Sequence, residues 1–158
     1  MTRFIATLRH AQSAGKQSGQ LDYDRSLNND GQLQARSIGQ KIKEQKINFQ
    51  LIVSSSSTRT QQTVELLNET LLIAPENIRF DNELYEASMA QWLDQVHNLP
   101  DTVESVLLVG HNPCLSILAS TFAGSIREPG PCELIGFEFE CSNWKQLRKA
   151  GKEILNIK

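Results

Sequence analysis

Two short stretches concentrate residues able to do phosphoryl chemistry. Leu8-Arg9-His10 ends an apolar run, and Gly110-His111-Asn112 answers it about a hundred residues later. Arginine offers a permanent forked cation for phosphate oxygens. A neutral imidazole nitrogen can attack phosphorus and carry it as a covalent intermediate. His10 and His111 are two of only three histidines in the chain. Together with Arg9 they form the first candidate site.

The elements around these residues determine whether they can meet. Phe4 to Leu8 reads as a short strand, and Asp30 to Lys46 as a helix with Ala35, Ile38 and Ile42 on one face and Asn28, Asn29 and Asp30 available as caps. Leu51-Ile52-Val53 is a second strand core. A run of four serines follows it and can cap a helix whose inner face is Thr60, Thr63, Val64, Leu67 and Leu71. A weaker segment passes Ile78 and Phe80, and Ala87 to His97 reads as helix. Val106 to Val109 is continuously apolar, as buried parallel strands are. Asn112 then suits an N-cap and Pro113 the first helical position, with Leu115, Leu118, Ala119 and Phe122 as the apolar stripe and Gly124 as the stop. Ile135, Phe137 and Phe139 alternate with Gly136, Glu138 and Glu140, the pattern of a strand with one wetter face.

Strands alternating with helices predict a three-layer α/β/α sandwich around a mainly parallel sheet. Ligands bind such sheets beyond the carboxyl ends of the strands. Arg9 and His10 end the first strand, Ser55 and Arg59 follow the second, and His111 follows the most buried one. Parallel neighbours would gather all five at one edge. A helix beginning at Asn112 would add free backbone N–H groups there. The polar stretch from Gln12 to Ser26 has the length of a functional loop.

With 158 residues, a single domain spanning 1–158 is expected, and about 70% of the unfolded surface is buried at this size. A hydrophobic fraction of 39% and a formal charge of −2 describe an ordinary soluble globule without the basic footprint of a nucleic-acid binder. No apolar run reaches the ~20 residues of a membrane span, so no membrane partner is expected. Cys114, Cys132 and Cys141 make an odd count without framework spacing, which points to a reducing compartment and a cytoplasmic protein.

Competing site chemistries lack their partners. His111-x-x-Cys114 has metal-like spacing, but no second cluster completes a zinc site, so neither metal nor cofactor is expected. Gly15-Lys16 lacks the rest of a P-loop, no cysteine is followed six positions later by arginine, and the serines lack a Gly-x-Ser-x-Gly elbow. His97, late in an amphipathic helix, reads as structural.

Five blocks in order resemble the histidine phosphatase superfamily, whose fold is phosphoglycerate mutase-like. They are Leu-Arg-His-Ala at 8–11, Asp-Arg-Ser-Leu-Asn-Asn-Asp-Gly at 24–31, Ser-x-x-x-Arg-Thr-x-Gln-Thr at 55–63, Leu-Tyr-Glu-Ala at 84–87 and Val-Gly-His-Asn-Pro at 109–113. The short phosphohistidine phosphatases of the SixA type are the most similar branch. Ala11 stands where many members carry glycine, and Ser56 where proline is common.

By this resemblance His10 is the nucleophile, and Arg9, Arg59 and His111 hold the phosphoryl oxygens. Asn112 is placed among the phosphate-binding residues, and Glu86 occupies the position of the family's acidic proton donor. Glu83 and solvent remain as other donors. The implied function is hydrolysis of phosphohistidine on a protein through a phospho-His10 intermediate. The alternatives are a small-molecule phosphomonoesterase using the same site and a phosphate-binding regulatory module without turnover. The implied partner is a phosphorylated histidine-containing protein or a small phosphorylated substrate.

Overall fold

The computed structural model describes residues 1–147 and 150–158. In chain order the main elements are β1 (Thr2–Arg9), α1 (Asn29–Glu44), β2 (Leu51–Ser55), α2 (Thr58–Leu71), β3 (Ile78–Asp81), α3 (Met89–His97), β4 (Ser105–Gly110), α4 (Cys114–Ala123), β5 (Leu134–Glu140) and β6 (Lys152–Ile157). The strands form one sheet in the order β3-β2-β4-β1-β5-β6. β3, β2, β4 and β1 run parallel, while β5 and β6 pair antiparallel at one side.

Both faces of the parallel strands are covered, as their unbroken apolar runs require. Ile5, Val53, Val106 and Leu108 face α3 and α4, packing with Trp92, Val96, Leu118 and Phe122. Ala6, Leu8, Ile52 and Leu107 face α1 and α2, packing with Ala35, Ile38, Ile42 and Leu67. The expected three-layer α/β/α sandwich with a mainly parallel sheet is the observed architecture.

Several boundaries moved for identifiable reasons. β1 extends two residues earlier than expected because Thr2 and Arg3 pair with Glu140 and Phe139 of β5, and the fully buried Arg3 side chain donates to the carbonyls of Val103 (2.7 Å) and Ser142 (2.8 Å) and lies over the Trp144 ring. α3 begins at Met89 rather than Ala87, since Ser88 and Gln91 form a capping box that defines the first turn. α1 is capped as anticipated by Asn28, whose side chain accepts from the Gly31 N–H at 2.8 Å.

The N-cap of α2 is a serine, Ser57, but that side chain makes no cap bond and instead meets the Thr60 hydroxyl at 2.9 Å. β6, an edge strand with weak alternation, had no counterpart in the sequence reading. It covers part of the face of β5 expected to be wet: a Cβ on Gly136 would come within 2.8 Å of Leu155 and 2.9 Å of Phe4. Only Glu138 and Glu140 of that face reach solvent.

Candidate active site

Arg9 is the last residue of β1 and is paired in register with Gly110, the last residue of β4. Ser55 ends β2, and Arg59 is the second residue of α2. His10, Arg59 and His111 are thereby carried to one carboxyl edge of the sheet. The His10 N–H donates to the Gly110 carbonyl at 3.1 Å, and the Cys132 N–H bonds the carbonyls of both Arg9 and His10. These backbone bonds hold the end of β1 from two sides.

Local packing at the edge is tight. A Cβ on Gly110 would approach the buried Trp92 ring to 2.9 Å, so β4 closes directly over that indole. The Ala11 N–H donates to the Thr63 hydroxyl at 3.0 Å, which docks the chain after His10 onto α2. Gly31 lies against the Gln12 backbone, where any Cβ would sit 2.0 Å from the carbonyl oxygen.

The two imidazoles lie 5.3 Å apart between ring centroids. His10 Nδ1 is 2.7 Å from the Ala11 carbonyl, an acceptor only, so Nδ1 carries the proton and Nε2 the lone pair. Arg59 Nε approaches that Nε2 at 3.4 Å. His111 Nε2 meets the Ser55 hydroxyl at 2.9 Å, and its Nδ1 is buried without a partner among the described residues. Burial is the main force keeping both rings neutral, with the nearby arginine charges assisting. His10 is lowered to about 4 and His111 to about 3.

Arg59 and His111 line a cleft of about 370 Å³ together with Asp22, Tyr85, Glu86 and Trp92. Glu86 is exposed at its rim, whereas Glu83 is not among the lining residues. Arg9 turns toward the neighbouring loop, where its Nη1 is 3.3 Å from the Pro129 carbonyl. Asn112 donates to the same carbonyl at 3.2 Å and accepts from the Ser116 hydroxyl at 2.8 Å.

Asn112 is therefore not the cap of α4. Pro113 occupies the N-cap position and, with no polar side-chain atom, makes no cap bond, while the Asn112 amide is committed to Pro129 and Ser116. Cys114, the first residue of α4, is half-buried at the cleft wall. His97 accepts a structural position, with Nε2 3.2 Å from the Leu147 carbonyl. Among the described residues no group of three or more histidine, cysteine or acidic side chains is arranged to hold a metal. No helix there is long and apolar enough to cross a membrane.

The sequence reading missed Asp22, Arg25, Tyr23 and Tyr85. Asp22 bonds Arg25 at 2.9 Å and Arg59 at 3.0 Å, and the Tyr85 hydroxyl donates to it as well. That hydroxyl, then Arg25 and Arg59, hold the Asp22 carboxyl well below the usual carboxylate range. Tyr23 stacks edge-on against Tyr85 at 5.0 Å and donates to the Ser56 carbonyl at 2.7 Å. The available signals were Asp-x-x-Arg at 22–25 and the tyrosine inside the block at 84–87. Neither has a periodicity that marks it as part of a site.

A strand-end Arg-His pair, a second strand-end histidine and a helical arginine on one sheet edge define a class. The model of the histidine phosphatase superfamily (branch 1) matches residues 5–104, and the chain belongs to that superfamily. Arg9, His10, Arg59 and Glu86 fall inside the matched stretch; His111 lies beyond it and joins the site through the geometry above. Phosphatase chemistry on a phosphorylated substrate is the activity class this membership carries.

Within the class, the chain has the SixA-type fold. A SixA structure from Agrobacterium tumefaciens is similar with a TM-score of 0.85 and 24% identity, covering 99% of this chain and 97% of that one. The protein histidine phosphatase SixA complexed with tungstate gives a TM-score of 0.81 at 19% identity, covering 98% and 96%. An uncharacterised protein of Mycobacterium tuberculosis (strain H37Rv) is 32% identical over 145 residues, covering 91% of this chain and 88% of its own length.

Proposed function

We propose that this protein hydrolyses phosphohistidine on a protein substrate, with His10 as the nucleophile. The observation that carries the proposal is the His10 ring itself. Its Nδ1–H is tied to the Ala11 carbonyl, and its neutral Nε2 faces Arg59 beside His111.

In the first step His10 Nε2 forms a bond to phosphorus while the phosphorus–nitrogen bond of the substrate breaks. The leaving imidazole, already protonated on its other nitrogen, departs as a neutral ring. His10 becomes a phosphoimidazolium, its new positive charge supported by the Nδ1–H bond to Ala11. In the second step water attacks phosphorus, the bond to Nε2 breaks, and the surplus proton of water leaves with the phosphate. Arg59, Arg9 and His111 supply positive or donor groups for the equatorial oxygens, the main task in phosphoryl transfer. Arg9 must turn from Pro129 to contribute directly.

The acids in the cleft favour a nitrogen leaving group over an alkoxide. Asp22 is ionised and bonded to two arginines. Glu86 is exposed at the rim. Phosphoimidazole needs neither. The SixA-type fold is the second support.

A small-molecule phosphomonoesterase is the second reading, and the position of Glu86 on the wall of the cleft is what favours it. The deciding experiment follows turnover of a phosphorylated histidine-containing phosphotransfer domain beside small phosphomonoesters, without added metal. Hydrolysis of the protein substrate at the higher kcat/KM is expected. Preference for a monoester would overturn the assignment.

A further inference from the structure

Asp22 has no role in the steps above, yet its carboxylate accepts three hydrogen bonds at the cleft. One carboxylate oxygen accepts from Arg25 Nη1 at 2.9 Å. The other accepts from Arg59 Nη2 at 3.0 Å and from the Tyr85 hydroxyl. The backbone carbonyl of Asp22 accepts from Arg59 Nη1 at 2.7 Å. Two of the three guanidinium nitrogens of Arg59 are thus held by one residue. The third, Nε, faces the His10 lone pair at 3.4 Å.

A guanidinium is planar, so fixing two of its nitrogens fixes where every remaining N–H points. Tyr85 adds a second restraint, its ring centroid 5.9 Å from the guanidinium carbon. The Arg59 end of this pair is only 7% exposed, while the Asp22 end is 43% exposed, so it is the guanidinium that the pair holds inside the site. The carboxylate itself comes from a loop held in shape by the other arginine. Arg25 donates to the Ala14 carbonyl at 3.1 Å and the Ser13 hydroxyl at 2.8 Å, bracing the loop across its neck.

We infer that Asp22 is a positioning residue of the phosphoryl site: it sets the plane and reach of Arg59, and through Arg59 the approach of a phosphoryl group to His10 Nε2. This role rests on the cleft being a phosphoryl-transfer site, as proposed above. Asp22 does not touch the reacting atoms. It links the loop after β1 to the arginine of α2, so the loop becomes part of the catalytic geometry.

Loss of a carboxylate and loss of positioning have opposite signs, which makes the role testable. Removing a negative charge beside an anion site tightens anion binding if charge alone matters. Releasing Arg59 weakens it. Binding of inorganic phosphate should be measured by calorimetry for the wild type, Asp22→Ala, Arg59→Ala and the double variant.

Asp22→Ala is expected to bind phosphate about tenfold more weakly, the scale of one charge-assisted hydrogen bond. In the Arg59→Ala background the same substitution should weaken binding no further. Asp22→Asn, which keeps an acceptor oxygen, should restore most of the affinity. Tighter binding by Asp22→Ala, or equal weakening in both backgrounds, would overturn the inference. Should Asp22→Ala lose its fold, Tyr85→Phe carries the same cycle with a smaller effect of the same sign.

A second readout does not depend on phosphate. The His10 titration followed by NMR should move upward in Asp22→Ala as Arg59 loosens, and stay put when Arg59 is already alanine. If the wild-type protein binds no phosphate, the reading of the cleft fails, and this titration alone decides the role of Asp22. An unmoved or lowered His10 titration in Asp22→Ala would refute it.

Discussion

Arg59 Nε stands 3.4 Å from His10 Nε2, on the side of the imidazole that carries the lone pair. The cation that would hold a phosphoryl group therefore rests against the atom that would attack it. On the proposed mechanism, an entering phosphoryl group would come between them, and Arg59 would exchange a ring nitrogen for phosphoryl oxygens as His10 became free to bond phosphorus.

Replacing His10 with alanine should abolish turnover without unfolding the protein. The residue lies just beyond the end of β1, half-buried, outside both apolar clusters. Wild-type enzyme mixed with labelled substrate and quenched in base should retain acid-labile phosphate, and the variant none. Label on the variant would remove His10 as nucleophile.

Arg59→Ala should lower kcat about 10²- to 10³-fold, the usual loss for one preorganised donor to a developing charge. The same substitution removes a positive charge and a donor from His10 Nε2. The His10 titration should therefore rise from about 4 toward the ordinary value for histidine. An NMR titration showing no rise would mean that Arg59 does not hold His10 down, leaving burial, the largest cause, with Arg9 and Arg25.

Glu86→Gln separates the two substrate classes. An alkoxide must be protonated as it leaves, and a positioned acid contributes roughly 10²- to 10⁴-fold. Phosphomonoester hydrolysis should suffer by up to that amount if Glu86 is the donor, while phosphohistidine hydrolysis changes little. Equal losses on both substrates would indicate damage to binding. No loss on either would leave Glu83 or solvent as the proton source.

Acid should destabilise the protein in two stages. His10 and His111 titrate lower in the folded chain than unfolded, at about 4 and about 3. Between roughly pH 6.5 and 4 the unfolded state consequently binds more protons, and stability falls as pH falls through that window. Asp22, also lowered on folding, contributes stability present above the unfolded carboxylate range and lost below it. Urea midpoints measured from pH 7 to pH 3 should decline throughout, and His10→Ala should flatten the upper part of the curve. A midpoint independent of pH above 4 would contradict the buried neutral imidazoles.

The amino-acid sequence by itself determined the layers and the strand-end chemistry. Val106 to Val109 is a continuous apolar run, as a strand buried on both faces is, and Arg9 ends one strand with His10 after it while His111 follows another; both facts are local. The ordered motif blocks also carried the superfamily. Strand order, the existence of β6 and the true start of α4 were decided by the tertiary structure. β6 has too little apolar alternation to announce itself, and is held by pairing with β5. Asn112 has the type of an N-cap, but its amide finds Pro129, seventeen residues away, and the cap passes to Pro113. Asp22 shows the same limit most plainly. Its partners Arg59 and Tyr85 are 37 and 63 positions distant, and no helical or strand period spans such separations. Hydrogen bonds between loops are chosen by three-dimensional proximity, and proximity exists only once the sheet has brought its strand ends together.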